Sequence, residues 1–248
     1  MSAVTVELKG VGKVFPGGVE AVAEVDLSLV PGGVTSILGP TGCGKSTVLR
    51  MIGGIESPTR GEIDISSRPR LGFCFQDPRL IPWRSVWRNV ALPLELAGLD
   101  REEIRTRVDR KLTLVGLEDA RDRLPAALSG GMRMRTALAR ALVSDPDLLL
   151  LDEPFGALDE VTRLRLEEEL AQLVRGGGIT TLLVTHSIAE ALFLSDRAVV
   201  LDRMPARVRC SLDLPFDDRT PSLRVDPVFV RIQAEIYEQL RVGAGAST

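Results

Sequence analysis

The amino-acid sequence predicts an α/β fold with a mainly parallel central sheet, an N-terminal antiparallel β subdomain and an inserted α-helical subdomain. Three short, largely apolar runs predict the parallel sheet, at 148–151, 180–184 and 198–201. Such runs are typical of central strands that are covered on both faces. The helical insertion is predicted over about 77–145, where charged residues recur with helical spacing.

Length and composition indicate one large folded domain. The sequence has 248 residues, of which 44% are hydrophobic and 26% are charged, and this is enough apolar material for one core. The 31 basic and 34 acidic residues are interspersed along the chain. This distribution leaves no basic face of the kind that neutralises nucleic-acid phosphates, so we expect no nucleic-acid partner.

Cysteine usage and hydropathy indicate the compartment. The chain has an odd number of cysteines, without metal-ligand spacing: Cys43, Cys74 and Cys210. This favours a reducing environment over a disulfide framework. The N-terminus has neither the basic start nor the apolar segment of a secretory signal. No apolar stretch approaches the ~20 residues that cross a bilayer. We therefore expect a cytoplasmic chain with at most a peripheral contact to a membrane.

The predicted elements before the insertion are strands. Apolar and polar residues alternate in the first two, and the third is a short β-branched run that ends at Gly39. A glycine-rich turn and a helix follow it. The five predicted strands lie at 4–8, 22–30, 34–38, 62–65 and 71–75.

The predicted elements from residue 87 onwards are mainly helices, with the three apolar strands between them. Helices are predicted at 87–97, 101–115, 159–174 and 227–240, a further strand at 207–214 and a disordered tail at 243–248. The expected organisation is a single domain over 4–241. Its core spans about 4–76 and 146–205, its helical subdomain about 77–145, and a short C-terminal extension 206–248.

A glycine-rich segment between the third predicted strand and the first predicted helix reads GPTGCGKST, the P-loop pattern. Its glycines let backbone N–H groups face phosphates, and the following helix presents its positive dipole end to the same anion. Lys45 is predicted to reach the β and γ phosphates of ATP, Ser46 to ligate Mg²⁺ and Thr47 to assist at the α or β phosphate. Cys43 fills a variable position and is interpreted as a small spacer; the alternative is a thiol whose pKa is lowered by the helix N-terminus. The residues predicted to bind the nucleotide here are Gly39, Pro40, Thr41, Gly42, Cys43, Gly44, Lys45, Ser46 and Thr47. This motif predicts a P-loop NTPase core.

Two carboxylates close the apolar run LLLL in the string LLLLDEP. Beside a P-loop, a strand that ends in this way is expected on the Mg²⁺ side of the nucleotide. Asp152 is predicted to hold the metal, directly or through water, and Glu153 to act as general base on the attacking water. Without the P-loop, the same pair would simply be an acidic strand end.

A second candidate phosphate site follows in the string LSGGM. Ser129 is a good helix N-cap, and the Gly130 and Gly131 amides lie at the start of a segment with helical apolar spacing. An SGG turn alone is an ordinary helix cap. Because the chain already has one phosphate site, the second is expected to face a different nucleotide, or the same nucleotide from another chain.

The string LSGGM resembles the signature motif of ATP-binding cassette proteins, and other positions match that family in order. Gln76 resembles the Q-loop glutamine, which contacts Mg²⁺ or water, and His186 resembles the switch histidine at the γ-phosphate. Asp159 in FGALD matches the D-loop. Phe15 matches the aromatic residue that stacks on adenine, although an aromatic in a loop can equally be a core anchor. The resemblance covers about residues 4–205.

The resemblance implies an ATPase that works as a subunit of a transporter. Its expected partners are a second copy of itself in a head-to-tail homodimer, an integral membrane permease and, indirectly, a periplasmic substrate-binding protein. The expected location is the cytoplasmic face of the bacterial inner membrane. Lys45, Gln76, Glu153 and His186 are the expected catalytic residues, and Ser46, Gln76 and Asp152 the expected metal site.

One segment resembles a particular branch of the family. The phrase PRLIPW and Met132 resemble importers of nitrate, aliphatic sulfonates, taurine, bicarbonate or related small anions. Met134 and the absence of a paired RPR run near the C-terminus depart from that branch. The alternatives are a cassette of another importer, for example for a pyrimidine or thiamine precursor, or a cassette without a transport role. Trp83 and Trp87 are either core anchors or contacts to the permease.

Overall fold

The computed structural model describes residues 3–245, and side chains over 3–241. Within that range the strands are β1 (Val6–Val14), β2 (Glu20–Ser28), β3 (Val34–Leu38), β4 (Arg60–Ile65), β5 (Leu71–Cys74), β6 (Leu148–Asp152), β7 (Thr180–Val184), β8 (Arg197–Leu201) and β9 (Ala206–Asp213). The helices are α1 (Lys45–Ile52), α2 (Val86–Leu96), α3 (Arg101–Leu114), α4 (Gly130–Leu142), α5 (Glu160–Gly177), α6 (Ile188–Leu194) and α7 (Pro227–Gly245).

The strands form one mixed sheet in the order β4-β1-β2-β9-β8-β3-β7-β6-β5. The pairs β5·β6, β6·β7, β7·β3 and β3·β8 are all parallel, and every residue of β3, β6 and β7 is buried. Apolar layers on both faces of these strands explain their lack of alternation. The predicted parallel sheet is confirmed.

The N-terminal strands form the predicted antiparallel part of the sheet. β1 pairs antiparallel with both β2 and β4. β1 runs past the predicted end at residue 8 because a register shift between Leu8 and Val11 interrupts the alternation without ending the pairing. β9, at the start of the segment expected to be an extension, pairs parallel with β2 and antiparallel with β8. It therefore joins the two parts of the sheet.

Helices α2, α3 and α4 pack on one another as the inserted helical layer. Val90, Val108 and Leu138 are among the buried residues that they share. Side-chain caps set their starts: Ser85, Asp100 and Ser129 accept hydrogen bonds from the first turns of α2, α3 and α4.

The C-terminal half differs from the prediction at two places. Helix α6 was not predicted, because its seven residues are too few to show a clear helical period. Helix α7 continues to Gly245, so the prediction of disorder is wrong for 243–245, and 246–248 lie outside the described residues. Among the described helices, none combines the length and apolarity required to span a bilayer.

Parallel strand direction determines where the site lies. The loops after β3, β5, β6 and β7 all leave the carboxyl edge of the sheet. These four strands are neighbours in the sheet, in the order β3-β7-β6-β5, which differs from their order in the sequence. Residues that are far apart in sequence therefore meet at that edge.

Candidate functional site

The P-loop connects β3 to α1 at the carboxyl edge of the sheet. Gly44, at the N-cap of α1, has φ 110, and a Cβ there would lie 2.6 Å from the Ala21 carbonyl oxygen. Only glycine fits this backbone without a clash. The loop therefore brings the first N–H groups of α1, together with its dipole, to one anion-binding surface.

Lys45 is held inside this loop. Its ammonium donates to the carbonyl oxygens of Gly39 at 2.8 Å and Pro40 at 2.9 Å, and the residue is only 5% exposed. Within 3–241 the structure records no ion pair for it. A nearly buried cation without a carboxylate partner is suited to an incoming phosphate.

Asp152 and Ser46 form the candidate Mg²⁺ site. The Ser46 hydroxyl donates to Asp152 Oδ1 at 2.9 Å, whereas Asp152 Oδ2 is buried and has no hydrogen-bond partner among the residues that the structure describes. Burial raises the pKa of Asp152, and the hydrogen bond from Ser46 opposes the rise. A hard cation with oxygen ligands would satisfy the orphaned oxygen, so these residues fit Mg²⁺.

Two predicted catalytic side chains approach one carboxylate oxygen of a third. Gln76 Nε2 donates to Glu153 Oε2 at 3.1 Å, and His186 Nδ1 lies 3.4 Å from the same oxygen. The His186 side chain is 61% exposed, so it is accessible to a ligand. The carboxylate thus has two polar neighbours that can orient it towards a water molecule.

Glu153 adopts a backbone conformation that is uncommon for residues other than glycine. Its φ is 48, and its N–H donates to the Val184 carbonyl oxygen at 2.8 Å. The left-handed conformation costs about 1–2 kcal/mol for a non-glycine residue. This cost is consistent with a side chain whose direction matters for function.

The second predicted phosphate site lies on the helical layer. Ser129 accepts a hydrogen bond from the Met132 N–H at 3.2 Å and caps α4, while Gly131 approaches Leu158. Asp159 is exposed and caps α5 through the Thr162 N–H at 3.0 Å. That backbone hydrogen bond lowers the pKa of Asp159. Among the described residues, no hydrogen bond joins Ser129, Gly130 or Gly131 to the P-loop.

Phe15 and Cys43 are placed differently from the other nucleotide-site predictions. Phe15 lies in the turn between β1 and β2, half-buried against the N-terminal core, with the Lys13 ammonium 5.1 Å from the ring centre. Its stacking on adenine stays a prediction. The Cys43 side chain is buried beneath the loop, and burial raises its pKa. The alternative of a lowered pKa is wrong because desolvation exceeds the effect of nearby Lys45.

Comparison with known proteins identifies the family. Residues 22–156, more than half of the chain, match the family described as ABC transporter. The chain belongs to the ABC transporter family. Aliphatic sulfonates import ATP-binding protein SsuB 1 of Pseudomonas savastanoi pv. phaseolicola is 43% identical over 228 residues, which cover 92% of each protein. Taurine import ATP-binding protein TauB of Pseudomonas aeruginosa is 41% identical over 87% of each.

Solved structures of ABC cassettes have the same fold. A dimeric structure of the bacterial ABC transporter cassette MJ0796 matches with a TM-score of 0.80 and 34% identity, over 85% of this chain and 99% of that one. A second structure of MJ0796, with the same TM-score and identity, is described as a post-hydrolysis state bound to ADP and Pi. The chain is an ABC-type ATPase that binds ATP.

Sequence reasoning missed two buried polar residues beside His186. Thr185 precedes the histidine, and Glu190 lies one helical turn after it in α6. The available signal was the string SIAE, which matches a capping box that starts at Ser187.

Proposed function

We propose that this cassette is the ATP-hydrolysing subunit of an importer for a small anion, with aliphatic sulfonates and taurine as the first candidates. The match to SsuB 1 over 92% of both proteins supports this proposal most directly. The cargo itself is recognised by other subunits, so the substrate is inferred from relatives and not from this site.

Hydrolysis is proposed to use the residues at the carboxyl edge of the sheet. Lys45 and the α1 amides hold the phosphates. Ser46 and Asp152 would hold Mg²⁺, which would neutralise charge on the phosphate oxygens. Glu153 accepts a proton from water. The water oxygen then bonds to the γ-phosphorus while the bond to the ADP oxygen breaks. Gln76 and His186 orient the Glu153 carboxylate and the γ-phosphate.

A head-to-tail homodimer is proposed because the Ser129 turn lies at the start of α4 in the helical layer, whereas the P-loop lies between β3 and α1, and no hydrogen bond among the described residues joins the two. In such a dimer, Ser129, Gly130 and Gly131 of one copy would close on ATP held by the P-loop of the other. Exposed Asp159, beside the Ser129 turn through its neighbour Leu158, would lie at the same interface.

The proposed organisation follows from these roles. A RecA-like core, about 4–76 and 146–205, to which β9 adds a strand, binds the nucleotide. The helical subdomain, about 77–145, carries the Ser129 turn, and the C-terminal extension begins after β9. We propose that the dimer works at the cytoplasmic face of the bacterial inner membrane, with a permease and, indirectly, a periplasmic substrate-binding protein.

The permease is proposed to contact a groove on the helical subdomain. This groove of about 660 Å³ is lined by Trp83, Trp87 and several arginines. Trp83 is 78% exposed, whereas Trp87 is half-buried and donates from Nε1 to Asp109 Oδ1 at 2.9 Å. We therefore assign Trp87 to the core and Trp83 to the permease contact, since an exposed aromatic is an efficient anchor for a partner.

A Trp83→Ala variant is expected to keep its basal ATPase activity and to lose coupling to transport. Truncating a central aromatic anchor costs about 2 kcal/mol or more of binding energy, or roughly 30-fold in affinity. The measurement is co-purification with the permease, together with ATP hydrolysis before and after it is added. Tyr237→Ala is the matched control, because Tyr237 is an exposed aromatic on α7. Equal effects of the two substitutions would contradict the contact at Trp83.

The substrate class is tested with the complete importer in vesicles. We expect ATP hydrolysis to rise when the binding protein carries an alkanesulfonate or taurine, and not when it carries a neutral amino acid. Stimulation by nitrate or bicarbonate alone would contradict the proposed substrate class and indicate an importer for that anion. If no membrane protein associates with the chain and no ligand stimulates it, the importer proposal is wrong.

A further inference from the structure

The segment that carries His186 lies between two buried polar side chains without a role in the mechanism above. Thr185 is 1% exposed and Glu190 is 5% exposed. A carboxylate in such a place is expensive to desolvate, so it is expected to have specific partners.

Three hydrogen bonds form a closed ring around the backbone of His186. The Thr185 hydroxyl donates to Glu190 Oε2. The Ser187 N–H donates to Thr185 Oγ1 at 3.0 Å, and the Glu190 N–H donates to Ser187 Oγ at 3.3 Å. The residues before and after His186 are therefore tied to each other and to α6.

This ring differs from an ordinary capping box. In a capping box, the glutamate side chain bonds the N–H of the N-cap residue directly. Here the Ser187 N–H donates to the Thr185 hydroxyl oxygen, and the Glu190 carboxylate instead accepts from the Thr185 hydroxyl. Because the Thr185 N–H also donates to the Ile37 carbonyl oxygen at 3.2 Å, the ring is attached to β3 of the central sheet. This bond continues the parallel β3·β7 ladder by one residue.

The charged groups around Glu190 come from several elements. Burial raises the pKa of Glu190; the hydrogen bond from Thr185 and the charges of Arg163 and His186 lower it, and Glu153 raises it. Arg163 lies in the first turn of α5, the helix capped by Asp159. Charges from α5 and from the candidate site therefore both act on Glu190.

We propose that Glu190 is a positioning residue for ATP hydrolysis, acting through Thr185 to hold the His186 imidazole beside Glu153 and the γ-phosphate. The proposal rests on the roles of Glu153 and His186 given above. A shift of about 1 Å in a catalytic group typically lowers the rate about 100-fold, so loss of the ring is expected to lower kcat about 10-fold or more.

The first test compares Thr185→Val with Thr185→Ser. Valine has a similar size and removes the hydroxyl, whereas serine keeps it. For Thr185→Val we expect kcat to fall about 10-fold with the KM for ATP nearly unchanged, and for Thr185→Ser both constants to stay within about twofold of the native values. Equal kcat values for the two variants would overturn the proposal. If Thr185→Val does not fold, Thr185→Ala, which also removes the hydroxyl, takes its place in the comparison.

The second test asks whether the effect passes through the histidine. Glu190→Ala is measured alone and together with His186→Ala, using phosphate release under single-turnover conditions. We expect Glu190→Ala to lower the rate in the native background and to add nothing in the His186→Ala background. The same fold-loss in both backgrounds would show a merely structural role.

Glu153→Gln is the reference variant for both tests. If it hydrolyses ATP at the native rate, the mechanism proposed for the site fails. If it is slow while Thr185→Val and Glu190→Ala are normal, only the positioning role of Glu190 fails.

Discussion

Glu153→Gln is expected to bind ATP and to hydrolyse it about 10² to 10⁴ times more slowly than the native chain. Glutamine keeps the shape of the side chain and its hydrogen bond with Gln76, but it cannot accept the proton of the attacking water. Because ATP then persists, the variant is also expected to accumulate as an ATP-bound dimer. Phosphate release measures the first effect, and size-exclusion chromatography with and without Mg-ATP measures the second.

Glu62→Gln is the control for this substitution. Glu62 is an exposed glutamate on β4, outside the site, so its hydrolysis and association are expected to match those of the native chain. Native turnover by Glu153→Gln would exclude Glu153 as the base. Slow turnover without an ATP-dependent dimer would support Glu153 as the general base and contradict the proposed dimer.

Sequence motifs predicted those site residues whose neighbours in the chain form a recognisable local pattern. The P-loop string lies between a β-branched strand and a helix, and the DEP string follows a wholly apolar strand. Those flanks predict the direction in which the chain leaves the sheet. Asp152, which accepts a hydrogen bond from Ser46, lies where the strand pattern predicted it, at the end of β6.

Contacts between distant segments were not available from such signals. The hydrogen bond between Gln76 and Glu153 joins residues 77 positions apart, and it depends on β5 and β6 being neighbours in the sheet. No spacing in the sequence encodes that adjacency. The same applies to β9, whose place between β2 and β8 is determined by pairing and not by its own composition.

Burial was the other property that local patterns did not resolve. A thiol in the P-loop is expected to have a low pKa if it faces the phosphate, and a high one if it faces the core. Cys43 faces the core. Tertiary packing also buries Glu190, and its carboxylate accepts a hydrogen bond from the Thr185 hydroxyl.

Lys45→Ala is expected to reduce ATP hydrolysis by about 10² to 10³-fold, through loss of a positive charge that is already in place for the phosphates. In the native loop the ammonium is held by the Gly39 and Pro40 carbonyl oxygens. It therefore needs little reorganisation when a phosphate arrives. Alanine removes the cation and leaves two inward-facing carbonyl oxygens, which repel a phosphate. Titration with a fluorescent ATP analogue and phosphate release measure binding and turnover separately, and Lys9→Ala, an exposed lysine on β1, is the control.

The double variant Lys45→Ala, Glu153→Gln determines which step needs the lysine. If Lys45 is needed to bind the phosphates, the ATP-dependent dimer that Glu153→Gln accumulates disappears in the double variant. If the lysine acts only as charge develops in the transition state, that dimer persists. We expect it to disappear, because a nearly buried ammonium without a carboxylate partner is costly to keep unless a ligand anion pairs with it in the bound ground state.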